Sequence, residues 1–158
     1  MEEHVASFGS VKTFLRLLRL DFLPVNADLA LLALRLWLGL TLLFNHGLDK
    51  LLSFSEKASG FPDPLGVGHS ASLALAVFGE VVCSALLVLG LMARLASLGL
   101  AINMSVAFFL VHQTALSGEH SGELAFVYLA GFVALLIAGP GRFSLDQVVF
   151  ANRVSAKS

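Results

Sequence analysis

The chain has 158 residues, of which 57% are hydrophobic and 13% are charged, and its formal net charge is -1. This composition is more apolar than that of a soluble domain, and the length allows one compact unit. The near-neutral charge argues against nucleic acid as a partner, because nucleic-acid binding needs a basic face. The single cysteine, Cys83, excludes an intrachain disulfide and a CxxC redox pair.

Residues 1–26 form the first predicted segment, an amphipathic stretch ahead of the long apolar runs. Lys12, Arg16 and Arg19 fall at helical spacing on one face, and leucines and Phe14 occupy much of the rest. We expect this helix to lie in the cytoplasmic membrane interface with its cations near anionic headgroups. Pro24 then ends it. The helix is either a plain juxtamembrane anchor or a docking surface for a soluble partner.

Four long apolar stretches follow, and they predict an all-α integral membrane protein built as a four-transmembrane-helix bundle. A membrane helix needs roughly 20 apolar residues. The third stretch is at the lower limit, and the fourth is long enough only if its helix begins around Ser121 or Glu123. The membrane domain is predicted over residues 27–146, with a cytoplasmic tail at 147–158. The stretches are Leu29 to Leu52, Ala71 to Ala93, Leu95 to His112 and Leu124 to Ala138.

The lysines and arginines predict the orientation. With the N-terminus in the cytoplasm, the outer side of the membrane carries only Lys50 and Lys57, and Arg35 lies inside the first span. The other seven cations are then all cytoplasmic, which is the distribution of the positive-inside rule. The sequence therefore predicts a multi-pass protein of the plasma (inner) membrane with both termini in the cytoplasm. Those seven cations are Lys12, Arg16, Arg19, Arg94, Arg142, Arg153 and Lys157.

Ionisable residues inside the spans are the first functional signal, because a charge in hydrocarbon costs several kcal/mol unless it is paired or hydrated. Arg35 and His46 are eleven residues apart, which places them about 20° apart on the same face of an α-helix. Glu80, in the middle of the second span, lies at a depth between them. Glu80 is expected either to pair with Arg35 as a structural ion pair or to share a hydrogen bond with His46.

A second group of ionisable residues converges at the outer boundary of the predicted bundle. His46, Lys50, His112 and Glu123 come from three different spans and lie at one level. This group is either an ordinary polar rim or, together with Glu80, a ligand-binding site. Asn103 falls nearly opposite His112 on a helical projection of the third span, so it is not counted with the group.

Several short motifs follow one another between about Leu29 and Asp146, and none is specific alone. They are Leu34-Arg35-Leu36 with Gly39, His46-Gly47-Leu48-Asp49-Lys50-Leu51, Gly79-Glu80, Leu89-Gly90-Leu91 with Arg94, the Ala107 to His112 stretch, Gly122-Glu123 and Gly139-Pro140-Gly141-Arg142-Phe143-Ser144-Leu145-Asp146. As an ordered set, these motifs resemble those of the DoxX family.

The resemblance implies a four-helix membrane protein associated with redox chemistry. Some relatives are similar to a subunit of thiosulfate:quinone oxidoreductase, and others act as membrane chaperones or cargo receptors without catalysis. Two hypotheses follow. The first is a quinone-linked oxidoreductase subunit that receives electrons from a protein partner or a soluble redox domain, since the sequence has no flavin or iron–sulfur motif. The second is a non-catalytic scaffold or chaperone that binds a partner helix or a lipid.

Histidines and carboxylates suit the first hypothesis, because a quinone headgroup needs hydrogen-bond donors to its carbonyls and a route for protons. The histidine spacing matches no haem or metal signature, so no bound metal or haem is expected. The catalytic residues, the substrate and any association of the chain with copies of itself stay open.

Overall fold

The computed structural model describes residues 14–20, 23 and 25–149, and all of its long elements are helices. We name them α1 (Ala27–Leu52), α2 (His69–Leu89), α3 (Ala93–Val111) and α4 (Glu123–Ala138). The first three are long and apolar enough to cross a membrane, whereas α4 has 16 residues and is shorter. A four-residue helix, Phe54–Lys57, follows α1. Length and composition thus allow three of the helices to cross a membrane. The fourth helix begins at Glu123 but is shorter than these three, so the fourth predicted span stays a prediction.

The four helices form an antiparallel bundle in which each helix packs against its chain neighbours and α4 also contacts α1. One end of the bundle, named here the Gly90 end, holds the α2–α3 turn and the chain after α4. The opposite end, the His112 end, holds the α1–α2 and α3–α4 loops. Large and small apolar side chains alternate in the core between them. These buried residues are Leu42, Cys83, Leu87, Ala93, Ala96, Leu100, Ala101, Met104, Tyr128, Phe132 and Leu135.

Small residues set the close approach of the helices. A Cβ at Gly47 of α1 would lie 2.7 Å from the carbonyl oxygen of Glu80 in α2, and a Cβ at Gly39 would lie 2.7 Å from a methyl of Val88. A Cβ at Gly99 of α3 would lie 3.0 Å from Sγ of Cys83. Packing of this kind is expected where lipid, not water, surrounds the helices, because association then depends on close van der Waals contact. Cys83 is accordingly a buried small residue at a helix contact.

Three of the helices contain a π-helical segment. These are Leu43–Gly47 in α1, Phe78–Cys83 in α2 and Val106–Val111 in α3. A π segment accommodates about one extra residue and turns every later side chain by about 100° relative to a continuous α-helix. Nothing in the hydrophobic pattern signals it, so helical projections made from the sequence are wrong beyond each segment.

The Gly90 end is closed by residues 139–146, which cross the bundle after α4. Asp146 accepts hydrogen bonds from the backbone N–H groups of Met92 (2.7 Å) and Ala93 (2.9 Å), and so caps the start of α3. Its own N–H donates to the carbonyl of Gly90 (2.9 Å). Asp28 of α1 accepts from the N–H of Arg142 (2.8 Å). This crossing segment therefore ties three helices together at one end.

Residues 14–18 are helical, and residues 14–20 are all exposed. The predicted amphipathic helix extends further toward the N-terminus, and that part lies outside the described residues. So does the part of the predicted tail beyond residue 149.

Candidate functional site

A cavity of about 450 Å³ lies between α2 and α3 toward the His112 end, under the loop that joins α1 to α2. Its walls are mostly apolar, with Leu75, Phe78 and Ile102 among the lining residues that are also exposed on the outside of the bundle. Since the outside of these helices faces lipid, an apolar rim of this kind gives a lipid-soluble molecule access from the bilayer. The polar lining residues are Lys50, Ser72, Glu80, Asn103 and His112.

The central polar feature of the cavity is an ion pair between Lys50 and Glu80. The ammonium Nζ lies 2.7 Å from Oε1 and 2.6 Å from Oε2, so both carboxylate oxygens accept from it. The Glu80 side chain is 7% exposed and that of Lys50 is 21% exposed. Burial excludes most of the water that would otherwise weaken the attraction. Two of the three ammonium hydrogens are engaged, and the third is left for another acceptor.

The predicted Arg35–Glu80 ion pair is wrong. Arg35 is buried at the Gly90 end, where its Nη2 donates to the carbonyl oxygen of Phe143. The reason lies in helix geometry, because every Cα–Cβ bond tilts toward the N-terminus of its own helix. In α1 this direction leads Arg35 toward the Gly90 end and Lys50 toward the bundle centre. In the antiparallel α2 it leads Glu80 toward the His112 end, where Lys50 meets it.

Two of the five predicted ligand-binding residues lie outside the cavity lining. His46 packs edge-to-face on Tyr128 of α4, with ring centroids 6.4 Å apart and an interplanar angle of 85°. It is the next residue, Gly47, that packs against the backbone of Glu80 in α2. Glu123 is exposed at the first position of α4. The structure therefore brings Lys50, Glu80 and His112 together around one cavity and leaves His46 and Glu123 beside other surfaces.

His112 lies at the end of α3 and lines the cavity, and the next loop orients its ring. Its Nδ1 lies 2.9 Å from the carbonyl oxygen of His120. A carbonyl only accepts, so Nδ1–H is the donor in this contact and Nε2 is the ring nitrogen left for a ligand. Gly122 allows this closeness, since a Cβ there would lie 2.7 Å from Cβ of His112.

Asn103 is the site residue that the sequence analysis excluded. In a continuous α-helix Asn103 and His112 would lie about 180° apart around the axis, because they are nine positions apart in the sequence. The π segment Val106–Val111 removes about 100° of that angle, so both side chains line the same cavity. A helical projection without the π segment could not find this arrangement.

The α1–α2 loop covers the cavity and is fastened to the start of α2 by Asp63. Its carboxylate accepts from Ser72 Oγ (2.6 Å) and from the N–H groups of Val67 (3.1 Å) and Gly68 (2.8 Å). Phe61 and Leu65, on either side of Asp63, line the cavity. The hydrogen bonds from Ser72 and the two N–H groups hold the pKa of Asp63 below its ordinary value.

Removing this carboxylate is expected to loosen the loop. Since the folded pKa of Asp63 is lowered, its stabilisation is present at neutral pH and is lost as the pH falls below the ordinary aspartate value toward the folded one. Asp63→Ala should therefore lower the thermal midpoint at pH 7, and the difference from wild type should shrink on acidification. Glu56→Ala, on the exposed side of the short helix after α1, is the matched control. A difference that is the same at pH 7 and pH 3 would contradict the role of Asp63.

The fold and the cavity define a helical membrane protein with a mostly apolar cavity inside the bundle, into whose lining a few polar side chains are built. The chain belongs to the DoxX family, whose model matches residues 30–113. It is 33% identical over 112 residues to an uncharacterized protein of Haemophilus influenzae, across 66% of this chain and 80% of the relative. It is 30% identical over 139 residues to an uncharacterized membrane protein of Mycobacterium tuberculosis, across 75% of this chain and 80% of the relative. No solved structure gives a significant match.

Proposed function

We propose that the cavity binds the headgroup of a membrane quinone and that the chain is the membrane subunit of a redox complex. The observation that carries the proposal is the cavity itself, with mostly apolar walls and a few polar groups inside the bundle. Its volume of about 450 Å³ falls in the range of roughly 300–1,000 Å³ that is usual for small-molecule sites. An apolar lining suits the ring and tail of a quinone, and the polar groups suit its two oxygens.

The polar groups supply both kinds of hydrogen-bond partner that a quinone and its reduced form need. The third ammonium hydrogen of Lys50 can donate to a quinone carbonyl, while Glu80 keeps the cation neutralised. Nε2 of His112 can accept from a quinol hydroxyl. Reduction of a quinone to its quinol takes up two electrons and two protons. In this proposal the electrons come from a partner protein that carries its own redox group.

A binding measurement tests the proposal. Purified protein in lipid nanodiscs should bind a short-chain ubiquinone or menaquinone above the background of empty nanodiscs. His112→Ala should weaken binding of the reduced form of the same probe, the quinol, about tenfold, because Nε2 accepts from a quinol hydroxyl and the loss of one hydrogen bond costs about 1–3 kcal/mol. His120→Ala, whose exposed side chain lies outside the cavity lining, should bind as wild type does. Absence of quinone binding, together with a stoichiometric protein partner, would favour the scaffold hypothesis.

We also propose that the His112 end faces outward from the plasma membrane and that both termini are cytoplasmic, following the distribution of lysine and arginine. In a Cys83→Ala background, cysteines at the exposed positions Ser59 and Ser117 should react with an impermeant thiol reagent in intact cells. A cysteine at the exposed Gln147, at the Gly90 end, should react only after the cells are permeabilised. The opposite labelling pattern would reverse the orientation.

A further inference from the structure

Asn103 has an unused hydrogen-bond donor beside the cavity. The side chain lines the cavity, and its Nδ2 is buried without a hydrogen-bond partner among residues 14–20, 23 and 25–149. A buried amide N–H without an acceptor is costly in a folded protein and is rarely retained without a reason. The cavity is where an acceptor from outside the chain can reach this side chain.

Gly79 of α2 gives the amide its place. A Cβ at this position would lie 2.8 Å from Nδ2 of Asn103 and 3.1 Å from its Cγ. Gly79 lies inside a helix and is not among the glycines with positive φ, so the backbone itself does not require glycine there. Glycine in a helix interior destabilises the helix relative to alanine. We infer that glycine stands at this position because any larger residue would take the space that the Asn103 amide occupies.

We propose that Asn103 determines ligand specificity by donating a hydrogen bond to a carbonyl oxygen of the bound molecule, with Gly79 positioning its amide. The inference rests on the quinone-binding function proposed above and adds the residue that distinguishes a carbonyl from other oxygen groups. Glu80, the next residue after Gly79, holds Lys50, so the two donors to the ligand lie on neighbouring parts of the cavity wall. A ligand with a carbonyl satisfies the Asn103 amide, whereas an ether oxygen, which also carries a methyl group, is a weaker acceptor.

The test compares two probes that differ in this group, a short-chain ubiquinone and the dimethyl ether of its quinol, both measured in nanodiscs. Asn103→Leu keeps the approximate shape of the side chain and removes the amide. It should weaken ubiquinone binding at least tenfold and leave binding of the dimethyl ether unchanged. Asn45→Leu is the matched control, because Asn45 is exposed in α1 and lies outside the cavity lining. A purely structural contribution of Asn103 would lower the affinity for both probes together with the thermal midpoint.

Gly79→Ala provides a second variant. Its new methyl displaces the Asn103 amide, so ubiquinone binding should weaken in the wild-type background. In an Asn103→Ala background the same change has no amide to displace and should add no further loss. Equal ubiquinone affinity of wild type, Asn103→Leu and Gly79→Ala would overturn the assignment of Asn103 and leave the quinone proposal standing. A wild-type protein that binds neither probe would overturn both.

Discussion

Lys50→Met is expected to destabilise the protein by about 3–5 kcal/mol, the usual cost of removing one partner from a buried ion pair. The substitution keeps the length of the side chain and removes the ammonium, so the carboxylate of Glu80 would remain 7% exposed with no cation. Most of the surrounding cavity wall is apolar, so it compensates poorly for the lost cation. Equilibrium unfolding in mixed detergent micelles measures the free energy of unfolding.

A second lysine in the same region supplies the control. Lys57 pairs with Asp49, but the two side chains are 37% and 61% exposed. Water and salt screen the attraction in an exposed pair of this kind, so Lys57→Met should change the free energy of unfolding very little. The double variant Lys50→Met with Glu80→Leu removes both charges and should recover part of the loss. Equal unfolding free energies for Lys50→Met and Lys57→Met would show that Glu80 does not depend on its cation.

Gly90→Ala is expected to be nearly as disruptive at the opposite end of the bundle. Gly90 has a φ of +68°, and a Cβ there would overlap Nη1 of Arg35 and lie 2.9 Å from Cα of Ser144. The backbone conformation alone costs an alanine about 1–2 kcal/mol, and forcing atoms into a filled interior adds typically 1–3 kcal/mol. Arg35 cannot move away easily, because its Nη2 donates to the carbonyl of Phe143. We expect a lower thermal midpoint of unfolding and looser packing of the crossing segment, residues 139–146, on the Gly90 end of the bundle.

Gly66→Ala separates the two contributions. Gly66 has nearly the same backbone angle, with a φ of +67°, but no atom lies within 4 Å of its ideal Cβ. It should therefore show the cost of the backbone conformation and none of the overlap. The difference between the two variants then measures the contact with Arg35. If both variants lose the same free energy of unfolding, overlap between the new methyl group and the Arg35 guanidinium contributes nothing to the effect of Gly90→Ala.

The helices were predictable from the sequence because long apolar runs between turn residues define them almost completely. The first run was predicted to end at Leu52, where α1 ends, and the last was predicted to end at Ala138, where α4 ends. The pairing of charges was not predictable, since Glu80 lies at a depth between Arg35 and His46 and nothing in the sequence singled out Lys50 as its partner. Side-chain direction decides the outcome, and it depends on the antiparallel arrangement of α1 and α2.

The cavity was predictable only in part. Lys50, Glu80 and His112 were among the predicted ligand-binding residues, because ionisable groups in apolar spans are rare. His46 and Asn103 were misplaced for one shared reason. His46 was compared with Arg35 and lies within the π segment of α1, and Asn103 was compared with His112, which lies beyond the π segment of α3. In both pairs the π segment changes the angle between the two side chains around the helix axis. Ser72 and the loop around Asp63 carried no comparable signal, because polar residues at the edge of a span are common.

The π segments also bear on how such a site is lost or gained in evolution. The π segment Val106–Val111 holds about one residue more than a regular α-helix needs over the same stretch. Deleting one residue there would restore regular α-helical hydrogen bonding and keep Asn103 and His112 about 80° apart, on the same cavity. A change that restored α-helical hydrogen bonding without a deletion would instead rotate His112 by about 100° away from Asn103. A relative that is one residue shorter in α3 can therefore keep the cavity, whereas a relative of equal length without the π segment would lose the histidine from it.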